Sequence, residues 1–154
     1  MLGSAFHRVM RTLEIRDDQL LPSMIDRIAT AEGITSHREV LKSWVERALS
    51  SPLWIRVRKA AKVWRELPFC FVHEGDVKEG SIDLLFEEDG ELVLVDYKTD
   101  DVKAAELPDV IESHRAQLEL YCHAVGQLTG KRPREVLLYF VRLGRAEKSG
   151  DPAI

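Results

Sequence analysis

The chain contains little cysteine and no excess of positive charge, and both shortages narrow its possible functions. Only two of its 154 residues are cysteines, Cys70 and Cys122, and their separation fits no metal-binding spacing. We therefore expect free, buried thiols in a reducing compartment rather than a disulfide. The formal net charge is −4, so the composition gives no overall signature of nucleic-acid binding. A basic groove and an acidic metal site can nevertheless cancel in that sum.

Long apolar runs and a nucleotide-binding loop are also missing. No stretch approaches about 18 apolar residues, so we expect no membrane span and no membrane partner. Residues 1–4 lead directly into an amphipathic pattern rather than a signal peptide, which favours a cytoplasmic protein. Gly130-Lys131-Arg132 lacks both the spacing and the hydroxyl residue of a phosphate-binding loop, so we expect no nucleotide cofactor and no ATP-driven motor.

The succession of apolar patterns predicts a single α/β domain over residues 1–154, a length that supports one good core. Residues 1–60 form a helical part, because apolar residues recur there at helical spacing. Residues 61–143 form a sheet-and-helix part, and a polar tail follows over 144–154. The predicted helices span residues 5–13, 16–31, 36–48 (capped by Ser36 with Glu39), 52–57 and 110–128. Three antiparallel strands precede the last helix and one follows it, which predicts a mixed β-sheet flanked by helices.

The segment from Gly80 to Lys98 is the most informative part of the chain. Two runs rich in Val, Ile, Leu and Phe flank Asp89-Gly90, a strong signal for a β-hairpin. Counting back from this loop along both strands places Asp83 directly opposite Asp96. Lys98 follows Asp96 by two residues and therefore lies on the same face of its strand.

This pairing places like charges together in an apolar setting. Opposed side chains on antiparallel strands have Cβ atoms roughly 4.5–5.5 Å apart, and like charges there destabilise the sheet. Two buried carboxylates need a cation or a shared proton. Asp83 and Asp96 with Lys98 suit hydrolysis assisted by a divalent metal, in which the carboxylates hold the ion and the lysine activates water. The alternative is a structural Asp–Lys ion pair within a hairpin.

Five short motifs in the correct order make the chain resemble the RecB/AddA-type nuclease domain of the PD-(D/E)XK superfamily, the C-terminal domain of UvrD/RecB-like helicase–nuclease subunits. Each motif is weak alone, and their order and spacing give the resemblance its strength. They are Gly3-Ser4-Ala5-Phe6-His7, Glu66-Leu67-Pro68-Phe69, Gly80-Ser81-Ile82-Asp83, Asp96-Tyr97-Lys98-Thr99 and Gln117-Leu118-Glu119-Leu120-Tyr121. The resemblance implies a restriction-endonuclease-like core and a DNA nuclease, with an exonuclease favoured.

The resemblance also implies site residues. His7 would be a third side-chain ligand beside Asp83 and Asp96, and the Tyr97 carbonyl would complete the coordination. The ion would be Mg²⁺ or Mn²⁺, since imidazole suits Mn²⁺ and Mg²⁺ prefers oxygen. Glu66 would orient a water or a basic group. Gln117 and Tyr121, one helical turn apart, would lie at the edge of the site, near substrate or supporting Lys98.

Each supporting role has an ordinary alternative. Glu66 could be a solvated charge at a strand end, and Gln117 a boundary residue of an amphipathic helix. His114-Arg115 could touch a DNA phosphate at the start of that helix. Arg58, Lys59 and Lys62 could form a DNA-backbone patch, although helix solubility is the preferred explanation.

The resemblance also bears on the iron–sulfur cluster found in some relatives and on the partners of the protein. Some relatives hold an iron–sulfur cluster with four cysteines, which two cysteines cannot build, so we expect none here. The implied partners are DNA, with a single strand favoured, and a helicase motor in cis or in an AddAB/RecBCD-like complex. His7 falls near residue one, which suggests a domain excised from a longer chain. The rival functions are a catalytically decayed DNA-binding or docking module and a metal-dependent hydrolase of other phosphodiesters.

Overall fold

The computed structural model describes residues 1–150, which form two compact units. The first unit is Met1–Lys59 and the second begins at Ala60. Within residues 1–150, no helix combines the length and the apolar character that crossing a membrane requires.

The first unit contains four helices around its own apolar core. They are α1 (Leu2–Thr12), α2 (Leu21–Ala31), α3 (Arg38–Leu49) and α4 (Pro52–Lys59), with a 3₁₀ turn at Thr35–His37. Phe6 of α1 is fully buried and packs edge-on against Trp44 of α3, with ring centroids 6.4 Å apart. Pro52 opens α4, as its tolerance in a first helical turn predicts.

Two details of this unit differ from the sequence-based expectation. The Ser36–Glu39 capping box does not form, because Ser36 Oγ contacts His37 Nδ1 at 3.1 Å and Glu39 pairs with Arg38. The second helix begins at Leu21 rather than residue 16, and the apolar Leu20 that precedes it is 69% exposed. Helix ends are where local polar contacts compete with periodicity.

The second unit is a five-stranded sheet with helices between two of its strands. Its strands are β1 (Lys62–His73), β2 (Asp76–Glu88), β3 (Glu91–Lys98), β4 (Glu135–Phe140) and β5 (Arg145–Lys148), in that spatial order. All neighbours are antiparallel except β3 and β4, which are parallel. The connection between β3 and β4 contains a 3₁₀ turn at Ala104–Glu106, α5 (Leu107–Ser113) and α6 (Arg115–Thr129). The predicted mixed α/β fold is confirmed.

The predicted hairpin register is confirmed as far as Leu84 and Val95, one position before Asp83 and Asp96. Glu88 pairs with Glu91 across a two-residue loop, and the ladder continues to Leu84 opposite Val95. Asp89 and Gly90 both have positive φ angles, 54° and 78°, as a type I′ turn requires.

The core of this unit lies between α6 and one face of the sheet. Leu92 and Leu94 of β3 and Leu138 of β4 pack there with Leu118 and Cys122 of α6, and all five are buried. Cys122 is thus a buried free thiol as expected, whereas the other free cysteine, Cys70, is exposed.

Two elements of the second unit differ from the expectation. The helix predicted over 110–128 is interrupted at His114, and an additional helix, α5, begins before it with Pro108 in its first turn. Residues 145–148 of the predicted polar tail form the edge strand β5, paired with β4 from Leu137 to Phe140. Residues 151–154 lie outside the described part of the chain.

Candidate active site

Asp83 is a residue of β2 that is paired with neither of the neighbouring strands, β1 and β3. The β2–β3 ladder ends at Leu84 and Val95, and the β1–β2 ladder skips Glu66 and Asp83 although its register is the same before and after them. At this break, Asp83 Oδ2 accepts a hydrogen bond of 2.7 Å from the backbone N–H of Tyr97. The side chain of Asp83 therefore takes the place of a main-chain contact at the end of the ladder.

Asp96 and Lys98 form an ion pair on the α6 side of the sheet. Asp96 follows Val95 at the end of the apolar run of β3 and is one of two buried polar residues in the described chain, at 5% exposure. Lys98 Nζ lies 2.7 Å from Asp96 Oδ2, and both side chains are largely shielded from solvent. A pair buried to this degree is held in one geometry, unlike the weak ion pairs of a protein surface.

Gln117 of α6 is a second hydrogen-bond partner of the Lys98 ammonium group. Its Oε1 accepts a hydrogen bond of 3.1 Å from Lys98 Nζ, and its Nε2 donates one of 3.0 Å to the Tyr121 hydroxyl. Gln117 and Tyr121 are four residues apart, so they project from the same face of α6. Asp96, Lys98, Gln117 and Tyr121 therefore form a continuous polar chain from the strand to the helix.

The electrostatic surroundings of Tyr121 show which carboxylates converge here. Burial, followed by the negative charges of Asp96 and Asp83, raises the pKa of Tyr121 to about 12, and Glu66 acts in the same direction. The Gln117 hydrogen bond opposes this rise. Tyr121 is therefore a neutral phenol at neutral pH, and its own proton can be donated to an anion.

Glu66 faces Asp83 from β1 in an unusual backbone conformation. A carboxylate oxygen of Glu66 and one of Asp83 lie within 4.8 Å of each other. The φ angle of Glu66 is +49°, a region that side chains other than glycine, asparagine and aspartate seldom adopt. Ser81 Oγ donates a hydrogen bond of 2.9 Å to Glu66 Oε2 and so fixes the rotated carboxylate. Unfavourable backbone geometry of this kind clusters at functional sites.

The buried side chain of Tyr97 fixes the main chain beside Asp83. Its side chain is buried, and burial followed by the Asp83 charge raises the pKa of its phenol well above the ordinary value, although Arg65 opposes this. The ring packs edge-on against Tyr139 of β4, with centroids 6.3 Å apart. Tyr97 is thereby anchored through both its side chain and its backbone N–H.

An aromatic contact supports the floor of the site. Phe69 of β1 lies opposite Gly80 of β2, and a Cβ atom at Gly80 would come within 2.8 Å of Phe69 Cζ. The Phe69 ring also packs edge-on against Tyr121, with centroids 5.7 Å apart. The glycine is required because the ring occupies the space above it, and that ring positions Tyr121.

A metal ion is the group that best matches these donors. The carboxylate oxygens of Asp83 and Glu66 lie within 4.8 Å of each other, and the charge of buried Asp96 acts with theirs on the Tyr121 phenol. Hard oxygen donors of this kind suit Mg²⁺ or Mn²⁺. Lys98 supplies a positive charge beside them. The second unit thus brings together Glu66, Asp83, Asp96, Lys98, Gln117 and Tyr121, while His7 belongs to α1 of the first unit, half-buried beside Phe6.

Comparison with known proteins identifies the family. A family model described as the PD-(D/E)XK nuclease superfamily matches residues 1–154. The chain belongs to the PD-(D/E)XK nuclease superfamily. The resemblance inferred from the five motifs is therefore confirmed.

Several known bacterial proteins resemble the chain along most of its length. Proteins named as the A subunits of ATP-dependent helicase/nucleases are similar to it in several bacteria. The protein of Alkaliphilus oremlandii is 39% identical over 156 residues, covering 89% of this chain and 13% of its own length. That of Carboxydothermus hydrogenoformans is 33% identical over 162 residues, covering 93% and 14%. That of Thermoanaerobacter sp. (strain X514) is 31% identical over 158 residues, covering 89% and 13%. The chain thus spans less than a sixth of these relatives.

One residue near this PD-(D/E)XK site was not recognised from the sequence. Ser81 occupies a variable position inside the Gly-x-x-Asp motif, yet its hydroxyl holds Glu66. His114, predicted only as a phosphate contact, is half-buried at the N-cap of α6.

Proposed function

We propose that the chain is a metal-dependent DNA nuclease domain that hydrolyses phosphodiester bonds. The observation that carries this proposal is the chain of contacts from Asp96 through Lys98 to Gln117, with Asp83 beside it at the end of the ladders. A lysine held between a buried carboxylate and an amide is positioned for chemistry, because stability alone gains little from burying an ion pair.

Asp83 and Asp96 are the proposed ligands of Mg²⁺ or Mn²⁺, and Glu66 assists them. The ion supplies Lewis-acid stabilisation of phosphoryl charge when bound. Lys98, as the ammonium partner of Asp96, orients the attacking water and offsets the negative charge that develops on the phosphate, while the proton that the water loses passes to solvent. Tyr121 donates its hydroxyl proton toward a phosphate oxygen, since its raised pKa keeps it protonated. Water attack with departure of the 3′ oxygen would leave a 5′-phosphate.

His7 and the Tyr97 carbonyl complete the proposed ligand set. Both rest on the family resemblance, in which His7 closes the Gly-x-x-x-His motif and Tyr97 lies between the ligand Asp96 and Lys98. An imidazole ligand would favour Mn²⁺ over Mg²⁺. His7→Ala is therefore expected to weaken Mn²⁺ binding more than Mg²⁺ binding, as calorimetric titration would measure.

The proposed context is DNA-end processing in recombinational repair. The support is the name shared by the relatives, which describes the A subunits of ATP-dependent helicase/nucleases. A helicase motor, in cis or in an AddAB/RecBCD-like complex, would deliver a single strand to the site, and exonucleolytic cleavage is the favoured mode.

Cleavage of 5′-labelled single-stranded DNA tests the proposal. The wild-type protein and Lys98→Ala are each assayed with Mg²⁺, with Mn²⁺ and with EDTA. Lys42→Ala, which alters a lysine on the exposed surface of α3, is the matched control. Metal-dependent cleavage that is lost in Lys98→Ala and retained in Lys42→Ala would support the proposal. A folded wild type that neither cuts DNA nor binds metal through Asp83 would instead indicate a decayed DNA-binding or docking module.

A further inference from the structure

Two histidine side chains meet where the end of β1 contacts α6. His73 is the last residue of β1 and shares a face with Phe71, because side chains two residues apart on a strand point the same way. The ring centroid of His123, on α6, lies 4.9 Å from that of His73 and 5.0 Å from that of Phe71. Both histidines are half-buried. The strand and the helix thus each supply one imidazole to the same small volume.

The spacing of the two imidazole rings matches that of two ligands of one metal ion. The centres of two imidazoles that bind a tetrahedral ion through nitrogen, at about 2.0–2.1 Å, lie roughly 5 Å apart. The ring planes of His73 and His123 are inclined at 54°, so the rings are not stacked face to face. Imidazole is a ligand for Zn²⁺, Cu²⁺ and Ni²⁺, whereas Mg²⁺ prefers oxygen. This pair therefore suits a different class of metal from the carboxylates of the candidate active site.

The β1–β2 hairpin adds a carboxylate on the same face as His73. His73 pairs with Asp76 across the two-residue loop Glu74-Gly75, whose φ angles are 51° and 84°. Opposed residues on antiparallel strands share a face and have Cβ atoms roughly 4.5–5.5 Å apart. Asp76 Oδ2 lies 3.6 Å from Lys78 Nζ in an exposed ion pair, and such pairs contribute little to stability. The Asp76 carboxylate can therefore exchange Lys78 for a metal ion at low cost.

The two histidines are separated from the proposed catalytic residues along both of their elements. His73 is seven residues beyond Glu66 on β1, which corresponds to roughly 20 Å of extended strand. His123 is six residues beyond Gln117 on α6, which corresponds to roughly 9 Å along the helix axis. A metal ion held by the two histidines is thus distinct from one held by Asp83 and Asp96.

We propose that His73 and His123 form a second metal site, which binds Zn²⁺ with Asp76 as its third ligand. Water completes the tetrahedral coordination. The ion joins the end of the β1–β2 hairpin to α6, the helix that carries Gln117 and Tyr121. Because it binds the folded arrangement of strand and helix, it stabilises the second unit. This site does not depend on whether the chain cuts DNA.

Nuclear magnetic resonance of the histidine rings during a Zn²⁺ titration is the first test. The signals of His73 and His123 are expected to change together and to reach completion at one equivalent of Zn²⁺. His37, which is exposed in the first unit, is the internal control and should change little. Unchanged signals of His73 and His123 at saturating Zn²⁺ would overturn the proposal, and so would a change in only one of them.

Calorimetric titration with Zn²⁺ is the second test, and it uses Asp83→Asn as the parent protein to remove a proposed ligand of the other site. Adding His73→Gln or His123→Gln is expected to weaken Zn²⁺ binding at least about tenfold, since even the loss of outer contacts has effects of 10–100-fold. Asp76→Asn should cause a smaller loss. His37→Gln is the matched control and should bind Zn²⁺ as the parent does.

Phe71→Leu separates metal binding from ring packing. It removes the aromatic neighbour of both histidines and keeps all three ligands, so its Tm without metal should fall while Zn²⁺ still raises that Tm. In folded His73→Gln and His123→Gln, Zn²⁺ should no longer raise the Tm in this way. If these two variants instead have a lower Tm without metal and the parent affinity for Zn²⁺, the rings serve packing only and the proposal is overturned.

Discussion

Asp83 of β2 is fixed to the main chain of β3 by a hydrogen bond of 2.7 Å from the N–H of Tyr97 to its carboxylate. The same side chain has a carboxylate oxygen within 4.8 Å of one from Glu66. Asp83 therefore both completes the end of a ladder and supplies negative charge to a cluster of acids. These two roles can be separated by substitution, because an amide preserves the acceptor and removes the charge.

We predict that Asp83→Asn retains the fold and loses the response to metal. In the absence of metal, the free energy of unfolding of Asp83→Asn should equal that of wild type or exceed it by about 0.5–1 kcal/mol, because the repulsion of Asp83 by Glu66 and Asp96 is removed. Added Mn²⁺ should raise the Tm of wild type through preferential binding to the native state, but not that of Asp83→Asn. Cleavage should fall at least about 100-fold.

Asp83→Ala is the matched comparison, since it leaves the buried N–H of Tyr97 without its acceptor. It should be less stable than Asp83→Asn by about 1–3 kcal/mol in urea unfolding. Equal stability of the two variants would contradict the structural role of the hydrogen bond. A Tm increase with Mn²⁺ in Asp83→Asn would contradict the ligand role.

Gly80→Ala is predicted to disturb the site through Phe69. The new Cβ atom would come within 2.8 Å of Phe69 Cζ, so the ring must move, and it packs against Tyr121. We expect a loss of about 1–3 kcal/mol in stability, as overpacking costs, together with lower cleavage. Adding Phe69→Leu, which shortens the obstructing side chain, should recover part of the stability. No recovery in the double variant would show that the two residues do not act through this contact.

The sequence predicted the hairpin and its register because local rules determine both. Asp89-Gly90 selects a two-residue loop, and alternation along the strands then fixes which residues share a face with Asp96. Lys98 was correctly placed beside Asp96 for the same reason. The helices were predicted where apolar periodicity was long, and their ends were less accurate because single polar contacts decide them.

The other features depend on contacts between segments distant in sequence. The positive φ of Glu66 and its bond from Ser81 arise where β1 and β2 separate, which no local pattern specifies. The polar residues 145–148 lack strand periodicity and form β5 only because β4 offers an open edge. The break at His114 likewise interrupts a segment in which apolar periodicity predicts one continuous helix.

Tyr121→Phe tests whether the Tyr121 hydroxyl contacts substrate. This hydroxyl accepts a hydrogen bond from Gln117 and keeps its own proton up to about pH 12, so it can donate to a phosphate oxygen. We expect kcat/KM to fall about tenfold, as loss of one charge-assisted hydrogen bond predicts, with stability within about 1.5 kcal/mol of wild type.

Tyr139→Phe provides the matched control for this deletion. Tyr139 is a buried tyrosine on the face of the sheet opposite the α6-side core, so its hydroxyl is remote from the Lys98 chain of contacts. Its loss should change stability without a specific effect on kcat/KM. Equal losses of activity in the two variants would contradict a direct role for Tyr121.

Ser81→Ala is expected to release the Glu66 carboxylate from its fixed orientation. The 2.9 Å hydrogen bond from Ser81 Oγ is replaced by nothing, so Glu66 loses a contact that offsets its proximity to Asp83. Cleavage at limiting Mn²⁺ should fall about three- to tenfold, because outer contacts of this kind tune metal affinity by roughly 10–100-fold when fully lost. Saturating Mn²⁺ should restore most of the rate.

Ser81→Thr separates the hydrogen bond from the volume of the side chain. Threonine keeps the hydroxyl and suits a strand, so its metal dependence should stay near that of wild type. The double variant Glu66→Gln, Ser81→Ala should cleave DNA at limiting Mn²⁺ as fast as Glu66→Gln alone, since Ser81 acts only through the Glu66 carboxylate. Additive losses in the double variant would show that Ser81 influences the site by another route.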